Sequence, residues 1–298
     1  MDGRFAPSPT GSLHVGNLRT ALLAWLFARS AGSRFLMRVE DLDRQRLRAG
    51  CEEEQLADLS AVGIDWDGPV ARQSERLELY EDALEQLDRD GRLYPCYCTR
   101  AEIRQAASAP HGPPDEGRYP GTCHELTAAE RAEREAAGRL PALRLRAGAE
   151  RVAFEDRLMG ASDGICDDFV VRRNDGAPAY NLAVVVDDAA QGVEEVVRGA
   201  DLLDSTPRQL LLARMLGLAA PRHAHVPLVL GNDGARLAKR HGSVTLADRR
   251  ALGESDAEVL SWLASSAGLA EPGERVGAPA LVERFDPAWI RLEPTTFG

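Results

Sequence analysis

"RFAPSPTGSLHVGNL", residues 4–18, sets a short apolar run against a turn rich in proline and glycine, then opens an amphipathic segment with a histidine. Residues 4–6 suit a short strand. Pro7, Pro9 and Gly11 force a loop, and Leu18, Leu22, Leu23, Trp25 and Leu26 then recur at helical spacing. The next stretch, "SRFLMRVEDLD" (33–43), alternates arginine with apolar residues and ends in acids, which predicts a second strand. Strand, loop, helix and strand make a βαβ unit, whose natural host is a parallel sheet. The turn between the first strand and the helix is a ready anion site, because unpaired backbone N–H groups and the helix dipole favour phosphate there. His14 sits in that turn, and Gly16 leaves room for a ligand to approach the backbone. Taken alone, His14 reads more plainly as a loop histidine packed on the sheet edge. Neither G-x-G-x-x-G nor a P-loop is present, so a nucleotide needs a different logic here.

Working outward, 298 residues exceed the usual range of a single domain and predict two domains, or one with a large insertion. Residues 45–90 read as helices closed by Gly63 and Gly91. At Leu93 the pattern breaks into a Pro- and Gly-rich stretch, "SAPHGPPDEGRYPGTC", which reads as an insertion. "DDFVVRRNDGAPAYNLAVVVDD" (167–188) offers two β-prone runs around Asn174-Asp175-Gly176 and predicts a hairpin. A strand then leads into a helix beginning near Ser205 or Thr206, with Pro207 suitably early. Another strand and a polar loop follow, and an amphipathic helix lies around 257–267. The expected division is 1–93 and 178–247 for the halves of one domain, 94–177 for the insertion and 248–298 for a helical extension.

The composition, 44% apolar and 28% charged, is that of a globular protein, and no segment approaches the roughly 20 apolar residues of a membrane span. No membrane role is expected, and the absence of a secretory leader makes the cytoplasm the default. The net charge of −11 argues against simple electrostatic wrapping of nucleic acid. Nearly all basic residues are arginine, and Lys239 is the sole lysine. It lies in "GARLAKRHGS" (234–243) beside Arg236, Arg240 and His241, a cluster that reads either as a solvated basic loop or as a phosphate contact. Five cysteines without a secretory leader do not predict a disulfide framework. Cys96, Cys98 and Cys123 cluster in a segment with little core of its own, which points to one structural zinc ion. From chemistry alone the fourth ligand is open between Tyr119 and His124.

These stretches taken together resemble the catalytic part of class I aminoacyl-tRNA synthetases of the glutamate group. "HVGN" (14–17) is similar to the HIGH signature and "RLAKR" (236–240) to the KMSKS loop. "RVEDLD", "GAPAYNLAVVVDD" and "VVRGADLLDSTPRQ" fall between them in the family's order. The resemblance covers most of residues 4–243. It implies a Rossmann-type α/β domain with a parallel sheet, split by a zinc-containing insertion. It also implies activation of L-glutamate by ATP with magnesium, followed by transfer to RNA. Carried over residue by residue, His14 and Lys239 are catalytic, and His14, Gly16, Asn17, Arg236 and Lys239 hold ATP. Arg4, Ala6, Ser8, Glu40, Tyr180 and Arg198 hold glutamate, and Cys96, Cys98, Tyr119 and Cys123 hold zinc. Arg236 and Ala238 depart from the family's lysine and serine, and Val184 stands where asparagine is usual. The chain ends about 50 residues after the KMSKS-like loop, so no anticodon-binding domain is expected. That ending resembles the truncated branch of the family, which activates glutamate without tRNA and places it on queuosine in the anticodon loop of tRNA-Asp. A shortened enzyme charging the 3′ end of tRNA-Glu and a non-catalytic RNA or amino-acid binder are the alternatives. A monomer is expected.

Overall fold

A computed structural model describes residues 1–99, 101–103, 119–237, 241–242 and 244–297. In chain order its elements begin β1 (Gly3–Phe5), α1 (Val15–Ser30), β2 (Phe35–Val39), α2 (Cys51–Ala61), β3 (Ala71–Arg72), α3 (Leu77–Arg89) and β4 (Leu93–Cys96). They continue α4 (Ala128–Ala136), β5 (Ala142–Leu145), β6 (Glu150–Asp156), β7 (Gly160–Cys166), β8 (Phe169–Arg172), α5 (Tyr180–Ala190), β9 (Glu195–Gly199) and α6 (Thr206–Leu216). Last come β10 (Arg222–Val226), β11 (Val229–Leu230), α7 (Leu246–Ala251), α8 (Asp256–Ser266), α9 (Ala278–Arg284) and β12 (Thr295–Thr296).

Among the described residues the main sheet has seven strands in the order β3-β2-β1-β9-β10-β6-β7. All neighbours run parallel except β6 and β7. Strand β1 is internal: Gly3 pairs with Phe35 of β2 on one side and Glu195 of β9 on the other. The chain order reverses between β1 and β9, and in open α/β sheets ligands bind at such a switch point, beyond the carboxyl ends of the strands. The βαβ reading of the first 40 residues is realised in β1, α1 and β2. Helix α1 is buried on nearly all sides, its Leu18, Leu22, Leu23 and Leu26 forming one core with Phe35 and Met37 of β2, Leu263 of α8 and Leu281 of α9. An all-round apolar helix is what a helix covered on both sides requires. A second core joins Tyr80 and Leu87 of α3, Leu182 to Val186 of α5 and Leu211 of α6.

Three expectations fail. The helical reading of 45–90 misses β3, a short strand that pairs parallel with β2 at the edge of the main sheet. "YNLAVVVDD" does not form the second arm of a hairpin but the helix α5. An apolar run of that length is ambiguous by periodicity, and burial of Leu182, Ala183 and Val184 at 0–1% exposure overrides the β preference of valine. The turn itself exists: Gly176 adopts φ +86° and its N–H reaches the Arg173 carbonyl. The segment 94–177 is also not a separate body throughout. Strands β4, β5 and β8 form a small antiparallel sheet, whereas β6 and β7 extend the main sheet, His223 of β10 pairing with Asp156.

Candidate active site

The turn that opens α1 is locked by its own side chains. His14 is the N-cap: its Nδ1 accepts the backbone N–H of Asn17 at 3.1 Å, while Asn17 Oδ1 accepts the His14 N–H at 3.2 Å. This reciprocal box satisfies two helix-end donors at once. Because Nδ1 is an acceptor, the imidazole proton is on Nε2. Burial, reinforced by the positive charge of Arg236, lowers the His14 pKa to about 4, so the ring is a neutral donor at pH 7. The first turn of α1 carries no acid, which leaves the positive end of the helix to an anion. Gly16 serves packing as much as approach, since a Cβ there would lie 3.0 Å from His14 Nδ1 and 3.2 Å from Val229 Cβ. Gln55, 1% exposed, fixes the loop before the helix by donating to the carbonyls of Ser8 (3.1 Å) and Gly11 (2.6 Å).

The fold brings the far basic segment to this turn. His14 bridges Thr245, the Val15 N–H donates to the Val244 carbonyl at 2.8 Å, and Arg236 forms a 2.5 Å ion pair with Asp201. Lys239 and Ala238 lie outside the described residues.

On the other side of the switch point, Arg4 of β1 and Arg198 of β9 are both 5% exposed, yet they are held differently. Arg4 directs Nε and Nη2 at the Asp188 carboxylate, at 3.2 and 3.3 Å. Among the described residues the hydrogen-bond acceptors of Arg198 are neutral: His225 Nε2 at 3.0 Å, Gln209 Oε1 at 2.7 Å, Thr206 Oγ1 at 2.8 Å and the Leu202 carbonyl at 3.4 Å, with the Tyr180 phenol close by. Burial, with the charge of Arg4, lowers the Arg198 pKa against the opposing pull of Tyr180 and Asp188. Glu40, at the end of β2, is raised above the usual carboxylate range by burial, against the opposing pull of Arg38 and Arg4. Burial and the charge of Glu40 raise the Tyr180 pKa against the pull of Arg198 and Arg4, so the four groups lie near enough to act on one another at this end of the sheet. Ala6 and Ser8 follow β1 into the loop; Ser8 is exposed.

A buried ionic lattice supports these groups, and the sequence reading did not single it out. Arg38, 0% exposed, donates to Asp188 at 2.7 Å and Gln191 at 2.8 Å and lies 3.6 Å from Asp187 and 3.7 Å from Glu40. Asp187 accepts from Gln73 (2.9 Å), Arg76 (2.6 Å) and Tyr80 (2.8 Å). An arginine inside an apolar strand and two acids closing an apolar run were the available signals.

In the small sheet region Cys96, Cys98 and Cys123 bring their Sγ atoms within 4.8 Å of one another. Tyr119 Oη lies 3.5 Å from Cys96 Sγ and 3.9 Å from Cys98 Sγ. His124 turns elsewhere, its Nδ1 3.1 Å from Glu125 and its ring edge-on to Tyr94. A tetrahedral zinc with bonds of about 2.3 Å separates its ligands by about 3.8 Å, so the three thiols and the phenol have the spacing such an ion needs.

Residues 1–264 match the family profile described as tRNA synthetases class I (E and Q), catalytic domain. The chain belongs to the class I glutamate and glutamine tRNA synthetases. It is 61% identical to the glutamyl-Q tRNA(Asp) synthetase of Nocardia farcinica, over 98% of this chain and 91% of that protein. It is 54% identical to the glutamyl-Q tRNA(Asp) synthetase of Symbiobacterium thermophilum, over 98% and 94%. The crystal structure of a glutamate tRNA ligase from Elizabethkingia meningosepticum in complex with its amino acid superposes with a TM-score of 0.85 at 28% identity, covering all of this chain and 67% of that one. The chain is thus a ligase of the aminoacyl-tRNA synthetase type with the catalytic α/β domain of this family. None of its described helices is long and apolar enough to cross a membrane.

Proposed function

We propose that this protein activates L-glutamate with ATP and transfers it to queuosine in the anticodon loop of tRNA-Asp. The observation that carries the glutamate half is Arg198, a buried guanidinium whose hydrogen-bond acceptors among the described residues are all uncharged. Asp188 acts on Arg198 only from a distance, its own hydrogen bonds going to Arg4 and Arg38; a buried charge with no carboxylate in contact is costly, and a substrate carboxylate supplies that contact bidentately. Glu40 offers the opposite charge to the α-ammonium, with Arg4, Ser8, Ala6 and Tyr180 completing the pocket. The acceptor half rests on relatives matched over nearly their whole length and described as glutamyl-Q tRNA(Asp) synthetases.

The first step is in-line attack of the glutamate α-carboxylate on the α-phosphorus of ATP, forming glutamyl-adenylate and releasing pyrophosphate. In the second, a queuosine hydroxyl attacks the activated carbonyl and AMP leaves. The protein's work is positioning and stabilisation of phosphate oxygens. His14 donates Nε2–H to a phosphate oxygen, the N-terminus of α1 adds its dipole, and Gly16 and Asn17 keep the imidazole in place. Arg236 adds a cation to the phosphates, a role the family resemblance extends to Lys239, with magnesium carried by ATP. Cys96, Cys98, Tyr119 and Cys123 are proposed to hold one zinc ion, whose part is to staple a region with a small apolar core. The working form is a monomer acting in the cytoplasm, where ATP and tRNA are found.

Glutamate-dependent pyrophosphate exchange without tRNA tests the first half; no exchange by the intact protein refutes it. Labelled glutamate offered to tRNA-Asp with and without queuosine tests the second. Acceptance is expected only with queuosine, and charging of tRNA-Glu instead would favour the shortened-synthetase alternative.

A further inference from the structure

Arg4, Arg198, His225 and Asp156 stand on four successive strands, β1, β9, β10 and β6. Arg198 and His225 are register partners, and Asp156 pairs beside them with His223. The side chains continue the row as a hydrogen-bonded line. Asp156 Oδ2 meets His225 Nδ1 at 2.6 Å, and His225 Nε2 meets Arg198 Nε at 3.0 Å. His225 is 0% exposed and Asp156 1%. Nothing in the proposed chemistry calls for a histidine and a carboxylate buried this far from the substrates.

The polarity of the line is fixed by its ends. Asp156 Oδ1 accepts the backbone N–H groups of Leu158 (3.0 Å), Met159 (2.9 Å) and His225 (3.2 Å). Burial alone would raise its pKa, but these bonds and the imidazole bring it to about 2, so it is ionised. An ionised Oδ2 requires the imidazole proton on Nδ1. That leaves a lone pair on Nε2, and Arg198 Nε–H, which is always protonated, fills it. Thr206 Oγ1, 3.3 Å from Nε2, borders the same lone pair; the other tautomer could turn to that hydroxyl only by setting Nε2–H against Arg198 Nε–H at 3.0 Å, two donors facing each other.

We propose that His225, held in one tautomer by Asp156, is the positioning residue that orients Arg198 for a carboxylate of glutamate; this rests on the reading of Arg198 given above. The imidazole fixes the guanidinium plane through Nε, and Thr206 and Gln209 fix the terminal nitrogens. A carboxylate placed directly on Arg198 would neutralise the fork, as Asp188 does for Arg4. The neutral imidazole holds the fork and leaves its charge to the substrate, while the Asp156 charge acts from one ring further away.

The test is steady-state pyrophosphate exchange with the full chain and the variants His225→Phe, His225→Gln, Asp156→Asn and Arg198→Gln, with melting temperatures measured alongside. His225→Phe removes the acceptor at similar ring size. Asp156→Asn keeps the shape but releases the tautomer. Both are expected to raise KM for glutamate about 10-fold or more, as for loss of a hydrogen bond to a charged group, with KM for ATP unchanged. His225→Gln, whose amide oxygen can reach the Nε2 position, is expected to recover most of the loss. If Arg198→Gln raises KM for glutamate and folded His225→Phe does not, the orienting role is refuted while the substrate reading stands. If Arg198→Gln itself leaves KM for glutamate unchanged, the substrate reading falls and the relay with it. Equal changes in both KM values, tracking the melting temperature, would make the line merely structural and overturn the proposal.

Discussion

Replacing Asp188 by Asn removes one negative charge from the lattice beneath the proposed glutamate pocket with almost no change of shape. Asp188 is 4% exposed and receives Arg38 Nη1 at 2.7 Å, Arg4 Nε at 3.2 Å and Arg4 Nη2 at 3.3 Å. Without its charge, Arg4 loses the carboxylate its fork rests on. Arg38 keeps its 2.8 Å bond to Gln191, but of its acidic partners only the longer approaches to Asp187 and Glu40, at 3.6 and 3.7 Å, remain among the described residues. Breaking a buried ion pair from one side costs about 3–5 kcal/mol. At roughly 2–4 °C per kcal/mol for a chain of this size class, the melting temperature should fall by about 6–20 °C. Burial raises the Asp188 pKa, but Arg4 and Arg38 outweigh it and hold the group below its ordinary value. A depressed carboxylate contributes fully above the unfolded pKa of about 3.9 and loses that contribution as pH falls through the folded value. The gap between wild type and D188N in thermal unfolding followed by circular dichroism should therefore stay constant from about pH 8 to pH 5. It should narrow only in stronger acid. A gap below about 2 °C at pH 7, or one that closes near pH 6, would refute the charge-lattice account.

The phosphate end and the cysteine cluster yield three more expectations. His14→Ala should cost about 1 kcal/mol through the lost helix cap and slow pyrophosphate exchange by about 100-fold or more through the lost phosphate donor. Because burial and Arg236 lower the His14 pKa to about 4, the stabilisation from its neutral ring is present above about pH 6.5 and is lost as pH falls toward 4. Exchange activity, measured as a pH profile, should show no His14 titration near pH 6.5. Gly16→Ala adds a Cβ 3.0 Å from His14 Nδ1, so the ring must give by a few tenths of an ångström; since a misplacement of about 1 Å can cost about 100-fold, exchange should fall by roughly 2- to 5-fold. Metal analysis of the purified protein should find about one equivalent of zinc, and a chelator should lower the melting temperature. Full zinc retention by Cys98→Ser would count against the ligand set.

What the sequence made legible was local. Pro7, Pro9, Gly11 and the leucine spacing of α1 state their own geometry within a few residues, so β1, the turn and α1 could be read directly. The hairpin expected at 167–188 failed because "LAVVV" carries no local sign of the covering that α5 receives from α3 and α6. Strands β6 and β7 were assigned to the insertion because the pairing of Asp156 with His223 joins residues nearly 70 positions apart. His14, Arg4 and Arg198 are candidates through family resemblance. Arg38, Asp156, Asp187, Asp188, Gln209 and His225 were not found, because their roles exist only across the sheet.

That distinction bears on how the two arginines should be compared. Sequence alone makes Arg4 and Arg198 look alike, each a cation on a strand bordering the switch point. The sheet separates them. Asp188 already stands against Arg4, so a substrate carboxylate there gains a hydrogen bond and little charge compensation. Arg198 sits among neutral acceptors, so the same carboxylate gains a counter-ion in contact as well. Since a buried ion left unpaired costs far more than a lost neutral hydrogen bond, glutamate binding should depend more steeply on Arg198 than on Arg4. Arg4 in turn should matter more to folding, because its removal strands Asp188 with Arg38 as its remaining partner.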